Sequence, residues 1–244
     1  MTACASASRP TSRPCRPSLM IRESWVTLAS YRLHDLLMFS AETYFRLFEV
    51  TNRQWWPAPV VAALVGWVVF AAAFRRQVPR PAPVLLALTW VAVALLYFRE
   101  GFAGIHWLGN WWMGGFSLQA LGWLAWAAAA RPAYAGAGLR RRLGLGLLGT
   151  AAAWPVVAIA LGRPVWQVEI VGFAPDPTVL MSLGLLSTLQ PSRRWALGLS
   201  VVPLGWCVFS GATLWTMAQP HALVLPLAGA ATVCALAGVR AGRA

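Results

Sequence analysis

The sequence predicts an all-α protein: a polytopic bundle of transmembrane helices, about seven spans, preceded by an amphipathic helix at the membrane interface. Three observations predict it. Of the 244 residues, 59% are hydrophobic and 11% are charged, against roughly 45–50% and 25% in an ordinary soluble domain. The apolar residues gather into seven runs, most of them close to the ~20 residues that a helix needs to cross ~30 Å of hydrocarbon. The basic residues are all arginine and cluster in the short connections between those runs, which is how membrane proteins set their orientation. With the abundance of Ala, Gly, Pro and Trp, this composition points to a bacterial inner-membrane protein.

Residues 1–19 are rich in Ser, Pro and Arg and have no apolar core, so they are not a secretory signal. The expectation is that translation starts at Met20 and that a single transmembrane domain covers residues 20–244. Within residues 31–56 the chain is amphipathic and too polar to span. Ser40 is a candidate N-cap, and Glu42 falls in the first turn, where a negative charge suits the helix dipole. Leu37, Tyr44, Phe45 and Phe48 can share one face, and Glu42–Arg46 and Glu49–Arg53 have ion-pair spacing. Trp55 and Trp56 are placed to anchor at the headgroup level of an interfacial helix; a helix packed on the outer end of the bundle is the equal alternative.

The expected spans are residues 57–74, 82–98, 109–130, 143–161, 177–190, 195–217 and 220–239. The fifth is short. It must borrow from Val171–Ala174, lie in a thin region, or be a re-entrant piece, which leaves six spans as the alternative. With the first span running inward, the connections at 75–80, 131–142 and 191–194 and the tail 240–244 are cytoplasmic and carry no acidic residue. Arg99 and Arg163 then lie outside with Glu100, Glu169 and Asp176. The N-terminus is outside and the C-terminus cytoplasmic.

A net charge of +13 in a soluble protein would suggest nucleic acid. Here the arginines punctuate apolar runs, and no nucleic-acid partner is expected. The partner is the lipid bilayer. Cys4, Cys15, Cys207 and Cys234 have no CxxC spacing, so no disulfide or metal framework is implied. Phosphate-loop, nucleophile-elbow and HExxH motifs are absent, and no cofactor is expected.

Candidate site residues lie in the outward half: Arg163, Glu169, Asp176, His106, Asn110 and His221. Glu169 stands in an otherwise apolar run, where an unpaired carboxylate is costly, and Arg163 is its expected partner. Asp176, between Pro175 and Pro177, is read first as the cap of the following helix. His106 sits among glycines and tryptophans at the edge of a span, where proton relay or metal binding competes with a plain wet belt. A metal site would require His106, His221 and a carboxylate to converge, and the spacing does not support it. Ser210, Gly211, Thr213 and Thr216 form a small polar strip of the kind that marks close helix packing.

Three stretches carry a resemblance: Tyr31–Glu49 with Trp56-Pro57, Gly162–Thr178, and Trp206–Met217 through Pro226. Together they resemble an uncharacterised family of bacterial multi-pass membrane proteins known as a domain of unknown function. The resemblance covers roughly residues 31–239 and implies a membrane location and a single domain, with no established site residues to carry over. Where that family has Ile-Asn-Trp, this chain has Ile105-His106-Trp107, so no fixed role passes to His106. The functional expectation is handling of a small solute or ion through an outward-facing polar vestibule. An accessory or scaffold subunit is the alternative, and a membrane-embedded enzyme the third reading.

Overall fold

The structure, a computed structural model, describes residues 39–77, 81–129, 136, 138–189 and 191–238. The expected start at Met20, the segment 1–38, the connections at 78–80 and 130–135, and the tail from 239 lie outside the described residues. Among the described residues every regular element is helical.

Helix α1 (Ala41–Gln54) begins where its sequence says it should. Ser40 is the N-cap and its hydroxyl accepts from the Thr43 amide, with Glu42 in the first turn and Arg53 in the last, each charge on the favourable end of the dipole. Tyr44, Phe45, Phe48, Thr51 and Asn52 are buried, while Arg53 pairs with Glu49 at 3.1 Å on the open side. The other helix-spaced pair, Glu42 with Arg46, does not form. The chain then bends by 98° at the exposed Trp55 and Trp56 into α2 (Ala58–Phe74).

Helix α3 (Ala82–Ala92) widens into a π turn over Val93–Arg99, followed by a short 3-10 turn, Phe102–Gly104. Next come α4 (Gly109–Ala129), α5 (Leu139–Ala160), a 3-10 turn at Val165–Gln167, α6 (Pro175–Thr188), α7 (Arg193–Thr216) and α8 (Val224–Gly238). Pro203 lies inside α7 and cannot donate to the carbonyl four residues back. That carbonyl, Leu199 O, instead accepts from the buried Gln119 side chain of α4 at 2.9 Å. The polar residue therefore repairs the ladder and ties two helices together.

Among the described residues, three helical stretches are long and apolar enough to cross a membrane: Ala82–Gly104, Leu139–Ala160 and Arg193–Thr216. A fourth is added if α1 and α2 count as one bent span. Seven spans are therefore not supported by helix length and composition. Helix α4 has the length but is diluted by Asn110, Ser117, Gln119 and several tryptophans, and α8 is a shorter apolar helix. The fifth expected span departs most. Helix α6 has only 14 residues, all of them buried, so it rises ~21 Å and is encased by protein rather than facing the surroundings.

The packing explains how α6 fits there. Its largest neighbour is α5, and the two approach through glycines. A Cβ on Gly144 would lie 2.8 Å from Gly184 O, and one on Gly184 would lie 2.7 Å from the Leu148 side chain, so only glycine fits at either position. Arg140 donates to Leu186 O and Leu189 O at 2.8 and 2.9 Å. It thus caps the α6 C-terminus from the start of α5. Arg141 does the same for α2 through Phe74 O at 2.8 Å. Fully buried Trp90, Trp123, Trp206, Phe98 and Phe116 fill the remaining core.

Candidate functional site

At the end of the bundle away from Arg140 and Arg141, the α5–α6 connection folds inward instead of running over the surface. Gly162, with φ +86°, reverses the chain after α5, and Gly172, with φ +84°, lets it turn again ahead of α6. Both backbones are in the left-handed region that glycine adopts freely. The Thr178 hydroxyl accepts from the Gly172 amide at 2.8 Å and donates to Ala174 O at 2.7 Å, which closes the turn. Asn52 of α1 holds the same loop from outside, its amide donating to Trp166 O and Val168 O at 3.0 and 2.8 Å.

This folding buries two carboxylates. Glu169 is 1% exposed and Asp176 0%. Arg163 reaches Glu169 Oε2 at 3.3 Å, the partner that the sequence suggested, and its guanidinium lies 3.7 Å over the Phe45 ring. Asp176 does not cap α6. Ala174 is the N-cap residue and no side-chain cap bond is made, because the Asp176 carboxylate faces α7. There it accepts from Trp206 Nε1 at 2.7 Å and from the Ser210 hydroxyl at 2.9 Å. The first turn of α6 needs less capping than usual, because Pro175 and Pro177 have no N–H to satisfy.

Tryptophans are the site residues that sequence reading missed. Trp154 donates to Glu169 Oε2 at 2.6 Å, Trp206 to Asp176, and Trp90 to the Ser182 hydroxyl at 2.7 Å. Each indole N–H thus meets a polar group on the 169–182 segment. The available signal was position: these three lie well inside apolar runs, whereas Trp107 and Trp111 at a run's edge are exposed, as belt residues are.

A cavity of about 440 Å³ opens beside Glu169, with Arg163, Trp154 and His221 on its walls and Glu42 and Phe45 of α1 across from them. Glu169 Oε1 and His221 Nε2 have no hydrogen-bond partner among the described residues, and Arg163 Nη1 has its ion pair with Glu169 Oε2. Burial, and after it the nearby Asp176 charge, pushes the Glu169 carboxyl up to about 7 against the opposing pull of Arg163 and the Trp154 N–H. Burial, then Arg163, brings the His221 imidazole down to about 4, so it is neutral near pH 7.

Of the six candidates, Arg163, Glu169 and His221 meet at this cavity, and Asp176 is buried close behind it. His106 is elsewhere, stacked on Phe102 and edge-on to Phe39 and Phe209, with its Nδ1 accepting from the Leu108 amide at 3.1 Å. Asn110 is exposed at the start of α4. Among the described residues no group of His, Cys, Asp and Glu is placed to hold a metal ion. A larger cleft of about 710 Å³ between α2 and α3 is lined almost wholly by aliphatic side chains and presents no titratable group.

No curated protein and no solved structure matches the chain. The model of a family of unknown function, DUF6064, matches residues 41–242, the span that holds α1 to α8 and both buried carboxylates. The chain belongs to the DUF6064 family.

Proposed function

We propose that this protein is a multi-pass bacterial inner-membrane protein that binds a small polar solute or ion in the cavity beside Glu169. The observation that carries the reading is the meeting of two unpartnered buried polar atoms, Glu169 Oε1 and His221 Nε2, beside the ion-paired Arg163 guanidinium on one cavity wall. Buried polar groups are ordinarily satisfied, and exceptions gathered in a concave site of ~300–1,000 Å³ mark a place for a ligand. The three long apolar helices support the membrane location. Arginine-rich connections at the opposite end support an orientation in which the cavity opens outward.

The accessory-subunit reading drew on the amphipathic first helix. That helix spends its apolar face on its own bundle, burying Tyr44, Phe45 and Phe48, and so offers less to a partner. For the enzyme reading, the separation of His106 from Glu169 leaves two groups, Glu169 and His221, at a shared cavity.

The test is a thermal-shift panel on the full chain in detergent with ammonium, imidazole, urea and acetate as probes, repeated on His221→Ala. At least one probe should raise the melting temperature of the parent protein and lose that effect in the variant. If no probe shifts the parent and none crosses the bilayer in liposomes bearing the protein, solute handling is wrong.

A further inference from the structure

We infer that the cavity takes a small primary-ammonium solute, whose charged end binds Glu169 in exchange for a proton. This rests on the solute-binding reading and names its chemical class.

Charge comes first. Arg163 is the one cation among the described residues that line the cavity, and it pairs with Glu169, with Glu42 also on the lining and Asp176 buried near Glu169. One positive charge against two buried carboxyl groups, with the exposed Glu42 adding a weaker, screened charge, leaves the site short of cations, and for the buried pair that shortage is costly. A bound ammonium or a proton on Glu169 relieves it. An anion deepens it.

Hydrogen-bonding capacity points the same way. The Arg163 guanidinium is already engaged, over Phe45 at 3.7 Å and against Glu169 Oε2 at 3.3 Å. Glu169 Oε2 also holds the Trp154 indole, so Oε1 is the open oxygen. Neutral His221 adds Nε2 as a second unpartnered atom, an acceptor in the tautomer that carries its proton on Nδ1. Two acceptors fit an ammonium head, which has three donors and no acceptor.

The walls suit the rest of such a molecule. Trp154 supplies an aromatic wall, of the kind that tolerates a cation nearby, while Val157, Leu161 and Val224 supply an apolar side for a short alkyl chain. The exchange balances in atoms and charge: protonated Glu169 releases H⁺ to water, and the carboxylate left behind pairs with R–NH₃⁺. The other titratable groups near Glu169 are Tyr44 of α1 and Tyr97 of the π turn. Both are buried phenols.

Calorimetric titration of the full chain in detergent with methylammonium, and separately with acetate and urea, tests this. Methylammonium should bind at about pH 8, and its Kd should rise about tenfold per unit below about pH 7 as protons compete for Glu169. Glu169→Gln should weaken binding at least about tenfold and remove the pH dependence. Glu42→Gln, on an exposed residue that threatens no fold, should weaken it about two- to threefold through charge alone, and it decides the matter if Glu169→Gln does not fold. Unchanged binding in the variants overturns the ammonium class. So does binding of acetate or urea without methylammonium, an outcome that leaves the solute-binding reading intact. Failure of all three probes overturns both.

Discussion

Asp176 shows what a single residue does when its surroundings, rather than its neighbours in sequence, choose its partner. Its position in the first turn of a helix suits capping, yet its carboxylate is held by Trp206 and Ser210 from α7. Trp206→Phe keeps most of the ring volume and removes the N–H. A buried carboxylate left short of a donor costs about 1–3 kcal/mol, so the variant's melting temperature in detergent should fall clearly. A neutral result would mean that the indole is not Asp176's partner. Glu169 gives a prediction of the opposite sign. Its folded-state carboxyl titrates at about 7, above the ordinary 4.5, so the folded protein holds a proton that the unfolded chain releases. Between about pH 4.5 and 7 this group's contribution to stability therefore falls as pH rises. His221, lowered to about 4 from 6.5, works against it, since its contribution is lost as pH falls from 6.5 towards 4. Comparing melting profiles of the parent and Glu169→Gln isolates the first effect: the parent should lose relative stability through this window, and parallel profiles would refute the shift.

At the scale of elements, α6 could not have been recognised for what it is from its own residues. Pro177–Gln190 has the composition of a short span, and its departure from the pattern was visible only as missing length. Its enclosure follows from Gly144 and Gly184, which let α5 come within backbone contact, and from Arg140, which satisfies its last carbonyls. Helix ends leave such carbonyls without partners, and burying them uncapped is costly. Gly184→Val should therefore destabilise the bundle by about 1–3 kcal/mol through overpacking, while Gly146→Val, where the structure leaves open space, should not. The comparison is read as detergent melting temperatures of the two variants side by side. Equal losses would mean that helix propensity and not the α5–α6 contact sets the cost.

For the whole molecule, the two ends differ in kind. One gathers exposed Arg75, Arg142 and Arg193 with the capping pair Arg140 and Arg141; the other gathers the inward-folded loop and the cavity. If the first end is cytoplasmic, a cysteine replacing Ser192 should react with an impermeant maleimide only after cells are opened. A cysteine replacing Val165 should react in intact spheroplasts. Both belong in a background with Cys4, Cys15, Cys207 and Cys234 changed to serine, and the reverse labelling pattern would invert the orientation.

Several features could be read in the sequence because the forces behind them act over a few residues. The helical class, the apolar runs, the Ser40 cap with Glu42 behind it, and the Glu49–Arg53 pair all follow from helix periodicity, dipoles and i,i+4 spacing. Even Arg163 and Glu169 are close enough along the chain for their pairing to be guessed. Tertiary structure alone decided which way each helix turns about its axis and which helix lies opposite. That placed Trp154, Trp206 and Trp90 on the 169–182 segment, set Gln119 on the carbonyl freed by Pro203, and joined His221 to Glu169 while leaving His106 and Asn110 elsewhere. It also sealed α6 inside the bundle. Local patterns limit which faces are apolar, but the partner of a buried polar group is set by packing between segments far apart in sequence.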